Sequence, residues 1–205
     1  METETEVRIQ TSAGLARVAI QVPVGQPKFL LVLTHGSGGT PDTADVLAVR
    51  DAGIALGGVT ALATQPYVVR GAKAPGSAVK QDAAWAEIVA ALRTRHPGLP
   101  LIQGGRSNGA RVVCRTAPAV GARGVIALAF PLHPPGQPGK SRAGELASAG
   151  TEVLVLNGDR DPFGMPGAGP GTRVVALPGE THALSRNPVA IGEIAADWIR
   201  EVLAG

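Results

Sequence analysis

The chain is poor in residues that mark several common functions. It has one cysteine, Cys114, in 205 residues, so no internal disulfide can form and a disulfide-stapled scaffold is excluded. Aromatic residues make up 3%, too few to stack single-stranded nucleic acid. Charge is equally unpatterned: 19 basic and 16 acidic residues leave a net charge of +3 with no basic run. Nucleic acid is therefore not an expected partner. No apolar stretch approaches the roughly 20 residues of a membrane-spanning helix, and no membrane partner is expected. The opening Met1-Glu2-Thr3-Glu4-Thr5-Glu6 is acidic where a secretory signal is apolar, so the expected location is the cytoplasm. Histidine, cysteine and acidic residues nowhere fall at metal-ligand spacing, and neither metal nor cofactor is expected.

Hydrophobic residues, at 44% of the chain, suffice for a sizeable core, and the length fits one domain over residues 1–205. Apolar runs alternate with amphipathic stretches. Residues 7–10 and 16–22 read as an opening hairpin turned at 11–14. Strands are expected at 29–33, 59–63, 99–103, 125–130, 153–156 and 173–177. Thr40-Pro41-Asp42 predicts a helix start, with Val46, Val49, Gly53 and Leu56 on its inner face and Gly57-Gly58 as its stop. Trp85, Ile88, Val89 and Leu92 mark a second helix, closed by Pro97-Gly98 with His96 as a favourable charge at its end. Asn187-Pro188 opens a last helix whose face is Ile191, Ile194, Ala195, Trp198 and Val202. Strands separated by helices imply an α/β fold with a doubly wound, mostly parallel sheet.

One stretch organises the rest. Gly105-Arg106-Ser107-Asn108-Gly109 follows an apolar strand and precedes a helix with Ala110, Val113, Cys114 and Ala117 at helical spacing. In a chain with 28 glycines a bare G-x-S-x-G match is weak. The flanking strand and helix give it meaning, because a serine on so sharp a turn needs glycine two residues to either side. Cys114 falls on the apolar face of that helix and reads as a buried small hydrophobe. Two other uses of glycine are excluded. Gly36-Ser37-Gly38-Gly39-Thr40-Pro41 has proline where a dinucleotide fingerprint needs glycine, and Gly104 to Asn108 lacks the Gly-Lys-Ser/Thr of a phosphate loop.

In a doubly wound sheet ligands bind beyond the carboxyl ends of the strands. Ser107 emerges there, as do His35-Gly36-Ser37-Gly38-Gly39, Asn157-Gly158-Asp159-Arg160-Asp161 and Glu180-Thr181-His182. The order Ser, Asp, His is that of α/β-hydrolase triads. Ser107 is the candidate nucleophile and His182 its base. Either Asp159 or Asp161 is the acid, a choice spacing leaves open. The backbone amide of Asn108, with that of Ser37 or Gly38, would hold a tetrahedral oxyanion. His35 is expected to shape that loop and so lie beside the pocket, and His133, beyond another strand end, to serve loop architecture or border the pocket. Residues 65–80 are expected as a second wall. Tyr67, Arg70 and Lys73 there, with Arg106, read as solvated charges or as selectors of an acidic acyl substrate.

Leu33-Thr34-His35-Gly36, Gly104-Gly105-Arg106-Ser107, Pro131-Leu132-His133-Pro134-Pro135, Gly158-Asp159-Arg160-Asp161 and Thr181-His182 together resemble a small α/β-hydrolase family. Its members include the testis-expressed protein 30 type and the hydrolase-like domain of the KAT8 regulatory NSL complex subunit 3 type. The resemblance covers roughly residues 29–200. It implies an α/β-hydrolase fold without a helical cap and, through a Gly-x-x-Asp pattern, places the acid on Asp161 and leaves Asp159 structural. Relatives often carry methionine where Asn108 stands, and asparagine or aspartate where Thr181 stands. Residues 131–150 are too short for a substantial cap. The expected function is cleavage of a small ester or thioester through an acyl-enzyme, with a small-molecule acyl substrate as the partner. The alternative is a catalytically idle module of the same fold that binds protein or small molecules. The oligomeric state is not legible.

Overall fold

The computed structural model describes residues 3–205. The chain opens with β1 (Thr3–Thr11) and β2 (Gly14–Val22), an antiparallel hairpin in which Thr11 faces Gly14. The Thr11 hydroxyl donates to the Gly14 carbonyl at 2.6 Å and fixes the turn. There follow β3 (Phe29–Thr34), α1 (Ala44–Ala55), β4 (Gly58–Thr64), the short α2 (Pro66–Val69), α3 (Ala78–Arg95), β5 (Leu101–Arg106) and α4 (Asn108–Val120). The chain finishes with β6 (Gly124–Leu128), the short α5 (Ala143–Ala147), β7 (Glu152–Gly158), β8 (Thr172–Leu177) and α6 (Pro188–Ala204). Neither α2 nor α5 was expected from the sequence; each is too short to show a periodic face.

All eight strands form one sheet in the order β1-β2-β4-β3-β5-β6-β7-β8. β2 meets β4 antiparallel, and every pairing from β4 through β8 is parallel. β3, β4 and β6 are buried along their whole length, as their unbroken apolar runs require of strands covered on both faces. One face packs Trp85, Ile88 and Leu92 of α3 with Val113 and Ala117 of α4. The other packs Val46 and Val49 of α1 with Ile191, Trp198 and Ile199 of α6. The sheet is thus doubly wound and mostly parallel. Among the described residues no helix is long and apolar enough to cross a membrane.

Several expected boundaries move: β1 begins at Thr3 and β5 runs over Leu101–Arg106, and two further shifts have a visible local cause. Thr40-Pro41-Asp42 is a bend, and the Thr40 hydroxyl donates to the Asp42 carboxylate instead of accepting from a helix amide. Thr43 is the residue preceding α1. β6 stops at Leu128 because Ala129 takes a positive φ of 47°. Phe130 then donates its amide to the Asn157 side chain at 2.8 Å rather than to a strand.

β3 connects outward to β4 on one side, whereas β5 leads to β6 on the other. The strand order therefore reverses between β3 and β5. The loops leaving their carboxyl ends part there, and that opening is where sheets of this kind hold ligands.

Candidate active site

Ser107 sits at the β5–α4 junction with φ 52° and ψ −114°, a conformation that a non-glycine residue adopts only under constraint. Its amide donates to the Leu128 carbonyl at 2.8 Å, tying the turn to β6. The glycines two residues away are dictated by proximity. A Cβ on Gly105 would lie 2.4 Å from the Gly109 carbonyl carbon, and one on Gly109 would lie 2.5 Å from the His35 carbonyl oxygen. Strand, helix and the loop after β3 converge on Ser107 too closely for any side chain at either position.

His182, between β8 and α6, reaches Ser107. Its Nε2 lies 2.9 Å from Ser107 Oγ, and its Nδ1 lies 2.8 Å from Asp161 Oδ2. An ionised carboxylate can only accept, so Nδ1 carries the proton and Nε2 accepts from the serine hydroxyl. The Asp161 side chain is wholly buried. Its other oxygen accepts the Phe163 amide at 2.9 Å. Asp159, which spacing could not distinguish from Asp161, instead accepts the Gly179 amide at 2.8 Å and joins the turns after β7 and β8.

Further groups hold the imidazole. Phe163 stacks on it with ring centroids 4.2 Å apart. Arg106 Nη2 donates to the His182 carbonyl at 2.7 Å, while its Nε lies 3.1 Å from the wholly buried Asp45 carboxylate. Burial pushes the Asp45 carboxyl up and the Arg106 charge pulls it down, with a net rise. Glu180, also buried, accepts the amides of Ser185, Arg186 and Asn187 at 3.1, 2.7 and 2.9 Å. The roles of Phe163 and Glu180 were not read from the sequence, since a single aromatic or acid in a loop has no periodicity to betray it. Asn157, buried in β7, donates from its amide to the Phe130 and Gly164 carbonyls and so braces the Asp161 loop.

On the opposite side lies the His35–Gly39 segment. The amides of Asn108, Ser37 and Gly38 have no hydrogen-bond acceptor among the described residues. As the first residue of α4, Asn108 has no intrahelical partner for its N–H. Its side chain is turned away, donating to Gln81 Oε1 at 2.6 Å, so it does not set the polarity of the pocket.

A pocket of about 490 Å³ opens over Ser107, bordered by Gly36–Gly39, Arg106, Asn108, Pro131, Phe163 and His182, with Arg111 and Arg142 at its edge. Three residues considered as pocket lining lie outside it, two of them, His35 and His133, in the loop-shaping role also expected of them. His35 is buried behind the loop; the Gln65 amide donates to its Nε2 at 3.0 Å, so its Nδ1–H donates to the Gly36 carbonyl at 2.7 Å. Burial holds its pKa below the ordinary value. Tyr67 is buried as well, its hydroxyl 3.0 and 2.9 Å from the Gly36 and Ser37 carbonyls, and burial pushes it up to about 12. His133 packs on Gly164 and turns Nδ1 to the Pro134 carbonyl at 2.9 Å. Nor is residues 65–80 the second wall. That segment lines a separate cavity with Arg70, which donates to the Ala13 carbonyl. Arg106 does border the pocket, but paired with Asp45. A larger groove of about 620 Å³, between α5 and residues 166–172, has Glu152 as its only titratable side chain and no nucleophile–base pair. Among the described residues no cluster of metal-ligating side chains occurs.

A serine on a strained strand–helix turn, a histidine against it and a carboxylate behind, at the carboxyl edge of a doubly wound sheet, define a hydrolase-type site. Residues 27–169 match the family described as an alpha/beta hydrolase domain, and the chain belongs to that family. No curated protein matches it in sequence. Among solved structures it is similar to Est1E from Butyrivibrio proteoclasticus, with a TM-score of 0.79, 15% identity, and 98% of this chain and 99% of that one covered. A serine hydrolase without a lid from Xanthomonas campestris has a TM-score of 0.79 at 18% identity, covering 98% and 96%. A serine hydrolase homologue from Coxiella burnetii has a TM-score of 0.77 at 18% identity, covering 95% and 97%. These likenesses establish the α/β-hydrolase fold.

Proposed function

We propose that the chain, acting as one domain, is a serine hydrolase that cleaves a small ester or thioester. The observation that carries this reading is the continuous set of hydrogen bonds Ser107 Oγ–His182 Nε2, at 2.9 Å, and His182 Nδ1–Asp161 Oδ2, at 2.8 Å. As Ser107 Oγ attacks the acyl carbon, its proton passes to His182 Nε2, and the Asp161 carboxylate stabilises the imidazolium. The free amides of Asn108 and of Ser37 or Gly38 receive the oxyanion. Collapse expels the alcohol or thiol, which takes the proton from Nε2. Water then repeats the sequence on the acyl-enzyme and regenerates Ser107.

The resemblance to the testis-expressed protein 30 type supports the hydrolase fold on which this reading rests. So does the similarity to a serine hydrolase without a lid, since residues 131–150 carry only the five-residue α5 above the sheet. The Est1E neighbour binds ferulic acid, an acyl acid of a size that suits an open pocket.

The test is labelling by a fluorophosphonate, which reacts where a serine is activated. Label on the folded chain, mapped to Ser107 and lost in Ser107→Ala, is the expected result. Absence of label on folded protein would replace the enzyme reading with that of an idle binding module.

A further inference from the structure

The pocket wall carries an unbalanced positive charge that the catalytic chemistry does not use. Arg106 is matched by Asp45 at 3.1 Å. Arg111 is matched by Glu145, with Nε and Nη2 each 2.7 Å from a carboxylate oxygen. Arg115 is matched by Asp82 and shares Glu145. Arg142 has no carboxylate partner among the described residues. Its backbone amide donates to the Leu132 carbonyl at 2.7 Å, and its Nη1 donates to the Pro131 carbonyl at 2.9 Å. It is held at both ends, with most of its guanidinium donors unused.

Arg142 and Arg111 border the same pocket as Ser107, and no acidic residue lines it. Asp161 lies wholly buried against His182 and directs its charge at the imidazole. Partial burial and the neighbouring Arg111 charge hold Arg142 below its ordinary pKa, offset in part by Glu145, whose oxygens are already taken by Arg111 and Arg115. A fixed, half-buried guanidinium with spare donors suits the planar oxygens of a carboxylate.

Resting on the hydrolase reading above, we propose that this pocket selects an ester bearing a carboxylate remote from the scissile bond, held by Arg142 with Arg111 beside it. One unmatched cation calls for a monoanion rather than a doubly charged phosphate.

The experiment compares kcat/KM for matched esters in two arms. The acyl arm sets the para-nitrophenyl hemiester of glutarate against its methyl-capped form; the alcohol arm sets para-acetoxybenzoate against its methyl ester. In one arm the anion is expected to be favoured about tenfold or more, the scale of a charge-assisted hydrogen bond, and the preference shrinks with added salt. Arg142→Gln brings that ratio close to one and Arg142→Lys restores part of it. Arg200→Gln, on the exposed face of α6, leaves it unchanged. In parallel, Ser107→Ala protein is titrated with glutarate, and adding Arg142→Gln is expected to weaken binding about tenfold. Turnover with a ratio of anion to capped ester near one in both arms, or a ratio indifferent to Arg142→Gln in protein folded by circular dichroism, overturns the proposal. Glutarate binding that depends on Arg142, without any turnover, overturns the hydrolase reading and upholds the subsite. Neither binding nor turnover overturns both. Inorganic phosphate binding more tightly than glutarate overturns the choice of a carboxylate.

Discussion

On one side of Ser107, the loop after β3 is held by neutral groups. The Tyr67 hydroxyl draws on the Gly36 and Ser37 carbonyls, and His35 bridges the Gln65 amide and the Gly36 carbonyl. On the other side, the loop after β8 is held by charged groups: Glu180 gathers three amides, Asp161 takes the imidazole N–H and Arg106 takes the His182 carbonyl. The division follows what each loop must do. A loop whose amides receive a developing negative charge works best when its carbonyls are turned back by donors and no fixed anion stands near. A loop whose histidine must become a cation works best with a carboxylate behind it. The two sides should therefore respond differently to mutation and to pH.

Breaking the charged side at its centre gives the largest effect. Asp161→Asn removes the carboxylate that fixes the tautomer of His182, and kcat on para-nitrophenyl acetate should fall about ten-thousand-fold with the fold intact by circular dichroism. Loss of only a few-fold would show that the histidine is oriented by Phe163 and Arg106 alone. Next comes the clamp. Glu180→Gln sets an amide NH₂ against a backbone N–H and should cost about 1–3 kcal/mol in urea unfolding, with kcat lowered as the His182 loop loosens. Wild-type stability in this variant would mean that the loop is fixed by its Asp161 and Arg106 contacts.

Neutral contacts give smaller effects. Tyr67→Phe removes the single hydroxyl proton that the Gly36 and Ser37 carbonyls share and should cost about 1 kcal/mol. Its kcat should drop less than the roughly hundredfold that follows loss of an oxyanion donor itself. A kcat equal to wild type would detach Tyr67 from the placement of the Ser37 and Gly38 amides. The smallest effect at neutral pH belongs to His35. Its folded pKa lies below its ordinary 6.5, so above that value it is neutral in both states and its contribution is intact. As pH falls below 6.5 the unfolded chain takes up the proton first, and stability is lost by up to about 1.4 kcal/mol per pH unit until the folded-state value is reached. Denaturant titrations across that window should show this loss in wild type and its reduction in His35→Gln. Equal slopes in the two proteins would exclude His35 as the source.

The strand and helix alternation was legible because periodicity and apolar runs are local. β3 and β4 declare burial on both faces, and Gly105 and Gly109 declare that backbones pass close to Ser107. The Thr40-Pro41-Asp42 signal misled because a capping triplet and a bend share the same residues, and only the path from the loop after β3 into α1 separates them. Expectations about the pocket wall fared less well. Tyr67 and His35 were expected in or beside the pocket, yet both lie behind its loop. The arginines that border it with Arg106, Arg111 and Arg142, come from α4 and the residue before α5.

What the sequence determined by itself was therefore the order of elements, the doubly wound sheet and the turn that lifts Ser107 to its edge. Each rests on interactions between near neighbours or on the burial pattern of a single element. The tertiary structure alone decided which polar side chains brace loops and which guanidinium is left unmatched beside the nucleophile, and it brings to His182 the aspartate that spacing left open and the family resemblance named. Those outcomes depend on distances between segments dozens of residues apart, and such distances exist only once the sheet has brought the segments together.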